Sequence, residues 1–384
     1  MSIIRKRIGI VGGGQLGKMM ILEAKRLGFY VITLDPTPDC PSHSISDEHI
    51  VSGFDDQKGY LKLASLVDVI TYEFEHINAE ALELLESRGH VVYPSVTSLK
   101  TIQNKYLQKK ALDFNGIPVP GFAKVSRMDD INEFGKKEHF GYPLMLKTTT
   151  GGYDGKGNSL IRDDMEIEKA FLQLGGGKNE LMVEEYIVFD KEISVIACRG
   201  IDGKRVIYPV AENIHTNSIL DTTIVPAGIS KTAAKKAEKI ADMVMEVFEG
   251  VGTFCIELFV CKNGDIYVNE VAPRPHNSGH YTIEGCFANQ FENHIRGIVG
   301  LPFGSVSLNS PTVMVNLLGE SDGKADLIGL EEAYLDPNVH VHFYGKSESK
   351  TGRKMGHFTV TDKTTEAAIK KAEILKGIVR VSGY

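Results

Sequence analysis

The stretch TFCIELFVCKNGDIYVNEVA, residues 253–272, places two short apolar runs on either side of an Asn-Gly pair. β-branched and aromatic residues are frequent in both runs, and Asn-Gly between such runs is a strong signal for a β-hairpin. With a two-residue loop, Cys261 faces Ile266, and counting outward places Glu257 opposite Glu270. A four-residue loop keeps this register, whereas a three-residue loop shifts it. The hairpin register therefore decides whether the two glutamates meet.

Two glutamates that face each other in this hairpin would need a cation or a shared proton. Directly opposed side chains lie roughly 5 Å apart at Cβ, and like charges at that distance repel. Apolar neighbours such as Ile256 and Val268 indicate that the surrounding sheet is largely buried, where unpaired carboxylates are costly. Oxygen ligands beside phosphate chemistry favour Mg²⁺. We therefore expect Glu257 and Glu270 to bind Mg²⁺ or Mn²⁺, the alternative being a surface hairpin with solvated glutamates.

A second segment, LKTTTGGYDGKGNSLI at residues 146–161, places glycines and two lysines between strand-like apolar runs. Glycine-dense hairpins can fold over phosphates and exclude water, with backbone N–H groups as donors. The Walker sequence is absent, because Gly157 and not Ser or Thr follows Lys156. Residues 151–157, named the lid below, are therefore predicted to cover a nucleotide, with Lys147 at their base. An exposed turn with solvated lysines is the alternative.

Length and composition limit the class of protein. A chain of 384 residues predicts two or three domains. The formal charge of −7 and the pI near 6.0 argue against a general nucleic-acid binder. The five cysteines form no Cys-x-x-Cys pair, which predicts reduced thiols. The apolar run at residues 8–11 is too short for a signal peptide, and no run approaches a membrane helix. We expect a soluble cytoplasmic protein.

The order of apolar segments predicts three blocks of mixed α/β and α+β structure. Alternating strands and helices over residues 1–97 predict a small parallel, Rossmann-like domain. Residues 98–115 are predicted to form one linker helix, and the α+β block that holds the lid and the hairpin extends from 98 to 305. Residues 306–384 carry further strands and a closing helix, and predict a small β-rich C-terminal domain.

A glycine motif follows the first strand. Gly12-x-Gly14-x-x-Gly17 matches the dinucleotide-binding pattern and, taken alone, predicts an NAD-dependent oxidoreductase. Its physical content is more general, since small residues let the N–H groups at a helix N-terminus approach any anion. Because the second block brings its own nucleotide site, we interpret this motif as a contact for the phosphate or ribose of a nucleotide-like substrate.

Three motifs together carry a family resemblance. They are GGYDGKG at residues 151–157, Glu257 with Asn269-Glu270, and APRPHNSGH at residues 272–280. In this combination they resemble the ATP-grasp superfamily and, more narrowly, the N5-carboxyaminoimidazole ribonucleotide synthetases of bacterial purine biosynthesis. The match runs nearly end to end, since residues 12–17, TYEFE at 71–75 and GRKMGH at 352–357 also fit. The resemblance implies an ATP-grasp fold with an N-terminal preATP-grasp domain.

The resemblance implies a ligase reaction and a set of site residues. ATP phosphorylates bicarbonate, and the carboxyphosphate or its CO₂ then carboxylates 5-aminoimidazole ribonucleotide, with ADP and phosphate released; a homodimer is also implied. The implied ATP contacts are Lys105, Lys147, Gly152, Tyr153, Asp154, Gly155, Lys156, Gly157, Asn158, Glu184, Glu185, Tyr186, Ile187, Glu192, His215, Asn269 and Glu270. The implied substrate contacts are Gln15, Leu16, His276, Asn277, Ser278, Lys346, Arg353 and Lys354. The implied catalytic residues are Tyr153, Asp154, Arg274 and Lys354, and the implied metal ligands are Glu257 and Glu270.

One position departs from the family pattern. Where the family more often carries arginine, this chain has Lys105, which keeps the charge but loses bidentate phosphate contact. Three other interpretations stay open: another ATP-grasp carboxylating or amide-forming enzyme, a biotin carboxylase, for which a longer chain is expected, and a non-catalytic nucleotide sensor. An ATPase assay with and without aminoimidazole ribonucleotide would separate the enzymes from the sensor.

Overall fold

The computed structural model of the chain describes residues 6–136, 140–152 and 157–384. Four lid residues of the predicted site, Tyr153, Asp154, Gly155 and Lys156, lie outside these ranges. Within the described ranges, none of the helices has both the length and the apolar character needed to cross a membrane.

The N-terminal block is a parallel sheet flanked by helices, as predicted. Its strands pair in the order β3-β2-β1-β4, all in parallel, and their buried β-branched residues pack against the helices. The elements are β1 (Arg7–Val11), α1 (Gln15–Arg26), β2 (Tyr30–Asp35), β3 (Glu48–Val51), α2 (Gln57–Leu66), β4 (Val69–Tyr72) and α3 (Ala79–Ser87).

The linker is two helices, α4 (Val96–Gln103) and α5 (Lys105–Phe114), so the prediction of one helix over residues 98–115 is wrong. The break lies at Asn104, whose backbone is extended. Its side-chain oxygen accepts hydrogen bonds from the N–H groups of Tyr106 and Leu107, both at 3.1 Å. Such a cap begins a new helix, and it makes Lys105 the first residue of α5.

The lid belongs to a small antiparallel sheet with the strand order β5-β8-β6-β7. β6 and β7 flank the lid, which confirms the prediction of strands on both of its sides. The elements of this part are β5 (Phe122–Val125), α6 (Met128–Lys136), β6 (Leu144–Thr148), β7 (Asn158–Ile161), α7 (Ile167–Gln173) and β8 (Leu181–Glu185).

The hairpin belongs to a large sheet with the strand order β14-β13-β9-β11-β12-β15-β19-β17, with β10 paired to β9. Two of its strands, β17 (Val339–Phe343) and β19 (Lys354–Thr361), come from the C-terminal block. One face is covered by α8, whose residues Ala237, Ile240, Val244 and Phe248 recur at helical spacing and are buried. The elements are β9 (Lys191–Arg199), β10 (Arg205–Ile207), β11 (Ala211–Thr216), β12 (Ile219–Val225), α8 (Lys231–Phe248), β13 (Gly252–Val260), β14 (Ile266–Ala272), α9 (Thr282–Gly285), α10 (Gln290–Val299) and β15 (Thr312–Leu318).

The C-terminal strands continue this large sheet, because β15 pairs with β12 and β19 pairs with β15. A single sheet therefore runs across the predicted boundary at residues 305 and 306, and that boundary stays a prediction. A smaller sheet, β18-β16-β20, and a closing helix complete the block. The remaining elements are β16 (Gly323–Ile328), α11 (Leu330–Ala333), β17 (Val339–Phe343), β18 (Glu348–Ser349), β19 (Lys354–Thr361), α12 (Thr365–Lys376) and β20 (Arg380–Gly383).

Candidate active site

A cavity of about 850 Å³ is lined by the lid strands, the start of α5, the hairpin and the first glycine loop. Most of the described residues predicted for the site line it. They are Gln15, Leu16, Lys105, Lys147, Gly152, Asn158, Glu184, Glu185, Tyr186, Ile187, Glu192, His215, Glu257, Asn269, Glu270, Arg274, His276, Asn277 and Lys354. Four predicted residues are absent from the lining among the described residues: Gly157, Ser278, Lys346 and Arg353.

The hairpin brings the two glutamates together, but its loop length and strand register differ from the predicted ones. Cys261 N–H donates to the Asp265 carbonyl at 2.9 Å, so the loop is three residues long, and Val260 faces Ile266. This shift by one residue is cancelled by a β-bulge, after which Glu257 faces Glu270. The predicted two- or four-residue loop is wrong, and the predicted pairing of the glutamates is confirmed.

The bulge has a second consequence for the cavity. Consecutive residues of a regular strand point to opposite faces of the sheet, whereas Asn269 and Glu270 both line the cavity. The extra residue of a bulge re-aims one side chain in this way. An amide and two carboxylates therefore converge on one wall.

The electrostatic environment of the glutamates differs. Burial, with the charge of Glu270 second, raises the pKa of Glu257 to about 7. Glu270 is paired with Lys105, whose Nζ lies 2.8 Å from its Oε2. Burial lowers the pKa of Lys105, but the Glu270 carboxylate outweighs this effect and the net change is upward. Glu257 is thus the carboxylate that gains most from an added cation.

Lysines surround another carboxylate of the site, and this carboxylate is buried. Glu184, at the end of β8, is 2% exposed. Its Oε2 lies 2.6 Å from Lys147 Nζ, and its Oε1 lies 3.4 Å from Lys109 Nζ. Burial raises the pKa of Glu184, but the charges of the two lysines outweigh burial and leave it below its ordinary value. Burial lowers the pKa of Lys109 to about 8. The carboxylate therefore holds Lys147 at the base of the lid.

The part of the cavity near the connection from β8 to β9 is apolar. Met145, Ile187 and Phe259 line it, and the ring of Phe259 stacks on Phe189 with centroids 4.6 Å apart. The backbone of Glu185, Tyr186 and Ile187 runs along this region. A flat apolar slot beside a stretch of backbone suits a nucleobase.

The pair of Glu192 and His215 lies on the same side of the cavity. His215 Nδ1 contacts Glu192 Oε2. Burial lowers the pKa of His215, but the hydrogen bond to Glu192 raises it more, so the net change is upward. The two side chains therefore form one polar unit at the cavity wall.

The glycine motif is already occupied by a carboxylate of the chain. The N–H groups of Gly14 and Gly17 donate to Glu73 Oε1 and Oε2 at 2.6 and 2.7 Å. A Cβ on Gly14 would lie 2.6 Å from Glu73 Oε1, so a side chain does not fit there. Glu73 therefore occupies two of the amides at the helix N-terminus, and the interpretation of this motif as a substrate contact stays a prediction that rests on Gln15 and Leu16, which line the cavity. The same contact argues against a dinucleotide, whose pyrophosphate needs those amides.

Arg274 is held by a carboxylate from the N-terminal block. Its Nη2 donates to Glu75 Oε1 at 2.9 Å, its Nε donates to Glu75 Oε2, and its Nη1 donates to the Pro275 carbonyl at 3.1 Å. Burial raises the pKa of Glu75, but Arg274 outweighs it and sets the pKa at about 2. A guanidinium has five N–H donors, so this pairing orients Arg274 and leaves donors for a ligand.

The residues after Arg274 form a tightly bonded loop. The side chains of Asn277 and Asn316 exchange hydrogen bonds at 2.9 and 2.6 Å. Ser278 is buried, and its Oγ lies 2.9 Å from His276 Nδ1. Ser278 therefore supports His276 and is absent from the cavity lining, and its predicted contact with the substrate stays a prediction.

Lys346 and Arg353 lie beside the site without lining the cavity. Lys346 Nζ donates to the Lys354 carbonyl at 2.6 Å, and burial lowers its pKa to about 8. Arg353 Nη1 donates to the Glu348 carbonyl at 2.9 Å. Their predicted phosphate contacts have no counterpart in the cavity lining and stay predictions.

Several residues of the site were missed from the sequence: Lys109, which contacts Glu184, and a set of residues that line the cavity. Lys109 stands four residues after Lys105, and this spacing places both lysines on one face of α5; it is the signal that could have found Lys109. Glu73 and Glu75 lie in the TYEFE stretch that carried the resemblance, without a role assigned to them. The others are Phe74, Pro120, Met145, Phe189, Asp190, Lys191, Glu212, Asn213, Ile214, Ser218, Leu220, Phe259 and Ala272.

Sequence models of three domains match the chain in order. The ribonucleotide synthetase preATP-grasp domain matches residues 5–103, the ATP-grasp domain matches residues 110–291, and the phosphoribosylaminoimidazole carboxylase C-terminal domain matches residues 312–371. Together with the lid strands and the facing carboxylates, these matches define an ATP-grasp protein.

Similarity to individual proteins identifies a narrower family among the ATP-grasp proteins. The N5-carboxyaminoimidazole ribonucleotide synthase of Staphylococcus aureus strain COL is 42% identical over 356 residues, 92% of this chain and 92% of that protein. The crystal structure of the synthetase from Thermotoga maritima has a TM-score of 0.90 and 46% identity, over 99% of this chain and 100% of that chain. The Aspergillus clavatus synthase, in complex with ADP and 5-aminoimidazole ribonucleotide, has a TM-score of 0.90 and 33% identity, over 98% of each chain. The chain therefore belongs to the N5-carboxyaminoimidazole ribonucleotide synthase family.

Proposed function

We propose that the chain catalyses the ATP-dependent carboxylation of 5-aminoimidazole ribonucleotide with bicarbonate, giving N5-carboxyaminoimidazole ribonucleotide, ADP and phosphate. One observation carries the proposal: Glu257 faces Glu270 across the hairpin, at the wall of a cavity that also receives Lys105 and Lys147. The similarity to synthases of this name, one of them bound to ADP and the ribonucleotide, supports it.

ATP is proposed to lie between the lid sheet and the hairpin. The apolar slot of Met145, Ile187 and Phe259 suits the adenine, and the Glu192 carboxylate suits the ribose hydroxyls. Lys147 and Lys105 then contact the phosphates as point charges. Because each lysine already has a carboxylate partner, both ammonium groups are positioned before the nucleotide binds.

The residues of the hairpin fit a magnesium ion. Mg²⁺ prefers oxygen ligands and takes one or two carboxylates together with substrate oxygens, and Glu257, Glu270 and the Asn269 amide offer this donor set. Burial, and then the charge of Glu270, raise the pKa of Glu257, so a bound cation would stabilise its charged form. When bound, the ion neutralises charge that builds on the phosphoryl oxygens.

The reaction proceeds in two balanced steps. A bicarbonate oxygen attacks the γ-phosphorus of ATP, a new P–O bond forms, and ADP leaves with the bridging oxygen. The exocyclic amine of the ribonucleotide then attacks the carboxyl carbon, phosphate leaves, and the amine loses a proton. Arg274, oriented by Glu75, is proposed to hold the carboxyphosphate, and Asp154 of the lid to accept the proton.

Water exclusion explains why the site combines a lid with a polar floor. Carboxyphosphate hydrolyses readily, so closure over the nucleotide should precede phosphoryl transfer. Gln15, Leu16 and Lys354 also line the cavity and are proposed to face the ribonucleotide. A homodimer and a cytoplasmic location stay predictions from the sequence.

ADP release in a coupled assay tests the proposal. We expect turnover that requires both bicarbonate and 5-aminoimidazole ribonucleotide, with product identified by its carbon-13 label from bicarbonate. ATP hydrolysis at a rate that does not depend on the ribonucleotide would contradict the proposal. Nucleotide binding without turnover would favour a non-catalytic nucleotide sensor.

A further inference from the structure

Three side chains that offer a sulfur, an oxygen and a nitrogen as possible metal ligands lie close together, and one of them is Glu257 of the hairpin. The sulfur of Cys255, a carboxylate oxygen of Glu257 and a ring nitrogen of His276 all lie within 4.8 Å of one another. His276 Nε2 is 3.7 Å from Glu257 Oε1. In a tetrahedral zinc site, with bonds of roughly 2.0–2.3 Å, the ligand atoms lie about 3.3–3.8 Å apart. A closure of at most about 1.0–1.5 Å on the longest edge therefore brings the three atoms to the spacing of a tetrahedral site.

The backbone holds two of these ligands on one rigid face. Cys255 and Glu257 stand two residues apart on β13, so both side chains point to the same face of the sheet. β13 is paired on both sides, with Cys255 opposite Ile196 and Ala272. The two ligands are thus fixed by the centre of a sheet and do not depend on a loop.

His276 is fixed by its backbone and by a neighbouring hydroxyl. Gln290 accepts from the His276 N–H at 2.9 Å and donates to the His276 carbonyl at 2.7 Å. Ser278 Oγ lies 2.9 Å from His276 Nδ1 and 3.6 Å from Cys255 Sγ, and it accepts from Ser194 Oγ at 2.9 Å. The Ser278 N–H also donates to His276 Nδ1 at 3.3 Å, so the neutral imidazole without metal carries its proton on Nε2. Metal binding at Nε2 requires that this proton move to Nδ1, where the Ser278 hydroxyl can accept it.

We propose that Cys255, Glu257 and His276 form an inhibitory binding site for a thiophilic divalent cation of the zinc class. A thiolate, an imidazole and a carboxylate suit Zn²⁺, whereas Mg²⁺ takes oxygen ligands. Three protein ligands leave a fourth position, and Glu257 and His276 both line the cavity. Binding releases the thiol proton of Cys255 to solvent. Because Glu257 is shared, a bound zinc competes with the proposed magnesium for this carboxylate.

Cobalt absorption tests the binding site directly. The metal-free protein titrated with Co²⁺, without nucleotide, should develop a near-ultraviolet thiolate-to-cobalt charge-transfer band. The band should be lost in Cys255→Ser and kept in Cys198→Ser, the matched control, since Cys198 is buried on neighbouring β9 and lies outside the cluster. Absence of the band in the wild type, or its persistence in Cys255→Ser, would overturn the proposal. If Cys255→Ser fails to fold, Cys255→Ala replaces it, and the wild-type titration still decides.

Inhibition of turnover by Zn²⁺ tests the functional effect of metal binding at this site, and this test rests on the proposed function. Zn²⁺ should lower the turnover of the wild type at fixed Mg²⁺ and ATP, and chelation should restore it. Cys255→Ser should keep turnover without zinc and raise the inhibitory zinc concentration about tenfold or more, as expected for loss of a ligand. Equal zinc sensitivity of Cys255→Ser and the wild type would overturn inhibition through this site. A protein without ribonucleotide-stimulated turnover would refute the proposed function alone, since the cobalt band reports the site independently.

Discussion

The ion pair between Glu75 and Arg274 joins the N-terminal sheet to the loop after the hairpin, and Glu75→Gln removes it with little change of shape. Both side chains are largely buried, with 15% and 14% of their surfaces exposed. Burial raises the pKa of Glu75, but Arg274 outweighs burial and lowers it from 4.5 to about 2. At about 1.4 kcal/mol per pKa unit, this lowering corresponds to about 3 kcal/mol. Because the folded-state pKa is depressed, the stabilisation is present above pH 4.5 and is lost as the pH falls towards 2.

We therefore expect Glu75→Gln to lower the free energy of unfolding by about 3 kcal/mol at neutral pH, because it leaves the Arg274 charge buried without its partner. Urea unfolding followed by far-ultraviolet circular dichroism measures this, and tyrosine fluorescence gives a second probe in a chain without tryptophan. Glu83→Gln is the matched control. It breaks a pair with Lys100 whose side chains are 60% and 40% exposed, and we expect a loss below about 1 kcal/mol.

Two results would refute this reasoning about the buried pair. One is a loss for Glu75→Gln no larger than that of Glu83→Gln. The other is a double-mutant cycle with Arg274→Gln in which the two losses simply add, since paired residues should show a coupling energy.

Three further predictions concern acid stability, nucleotide binding and the lid. Burial lowers the pKa of His294 to about 3, so the unfolded state binds more protons than the folded state between pH 6.5 and 3. The free energy of unfolding should therefore fall with the pH in this window, by about 2 kcal/mol at pH 5. Urea unfolding at pH 7 and pH 5 measures this loss, which should be smaller in His294→Gln. Lys147→Met should weaken ATP binding about tenfold or more in isothermal titration, whereas Lys178→Met, at an exposed position, should not; equal affinities would refute the phosphate contact. Asp154→Ala, outside the described residues, should keep ATP affinity and abolish carboxylation, and a parallel loss of ATP affinity would place Asp154 on the nucleotide side.

The hairpin shows how far local patterning reaches. Asn-Gly between apolar runs was enough to predict two paired strands, whereas Glu257 faces Glu270 as predicted only because the bulge cancels the shift caused by the three-residue loop. The loop length and the compensating bulge were not predictable, because turn types differ little in energy and side-chain alternation alone does not reveal one extra residue. The bulge is nevertheless what turns Asn269 and Glu270 to the same wall.

The linker shows a competition that propensity alone does not resolve. The pattern over residues 98–115 is compatible with one helix, yet the Asn104 side chain caps the backbone and begins a second helix. Asparagine competes for backbone N–H groups in this way. Whether it does so at a given position depends on the tertiary packing around it.

Contacts between distant segments were the least predictable part of the site. Glu75 and Arg274 are 199 residues apart, and Glu73 reaches the amide of Gly14 over 59 residues. Periodic patterns in the sequence do not reveal contacts between residues that are so far apart along the chain. The pattern after residue 310 predicted strands, but it did not predict that β15 would extend the large sheet. The sequence of a strand alone does not determine which other strand it pairs with.

The binding of Mn²⁺ together with a non-hydrolysable ATP analogue, measured by electron paramagnetic resonance, tests most directly the claim that the paired glutamates hold the cation that ATP needs. The account predicts tight binding by the wild type and binding at least about tenfold weaker in both Glu257→Gln and Glu270→Gln, since each loses a carboxylate ligand. Manganese and nucleotide bound by both variants as tightly as by the wild type would contradict it.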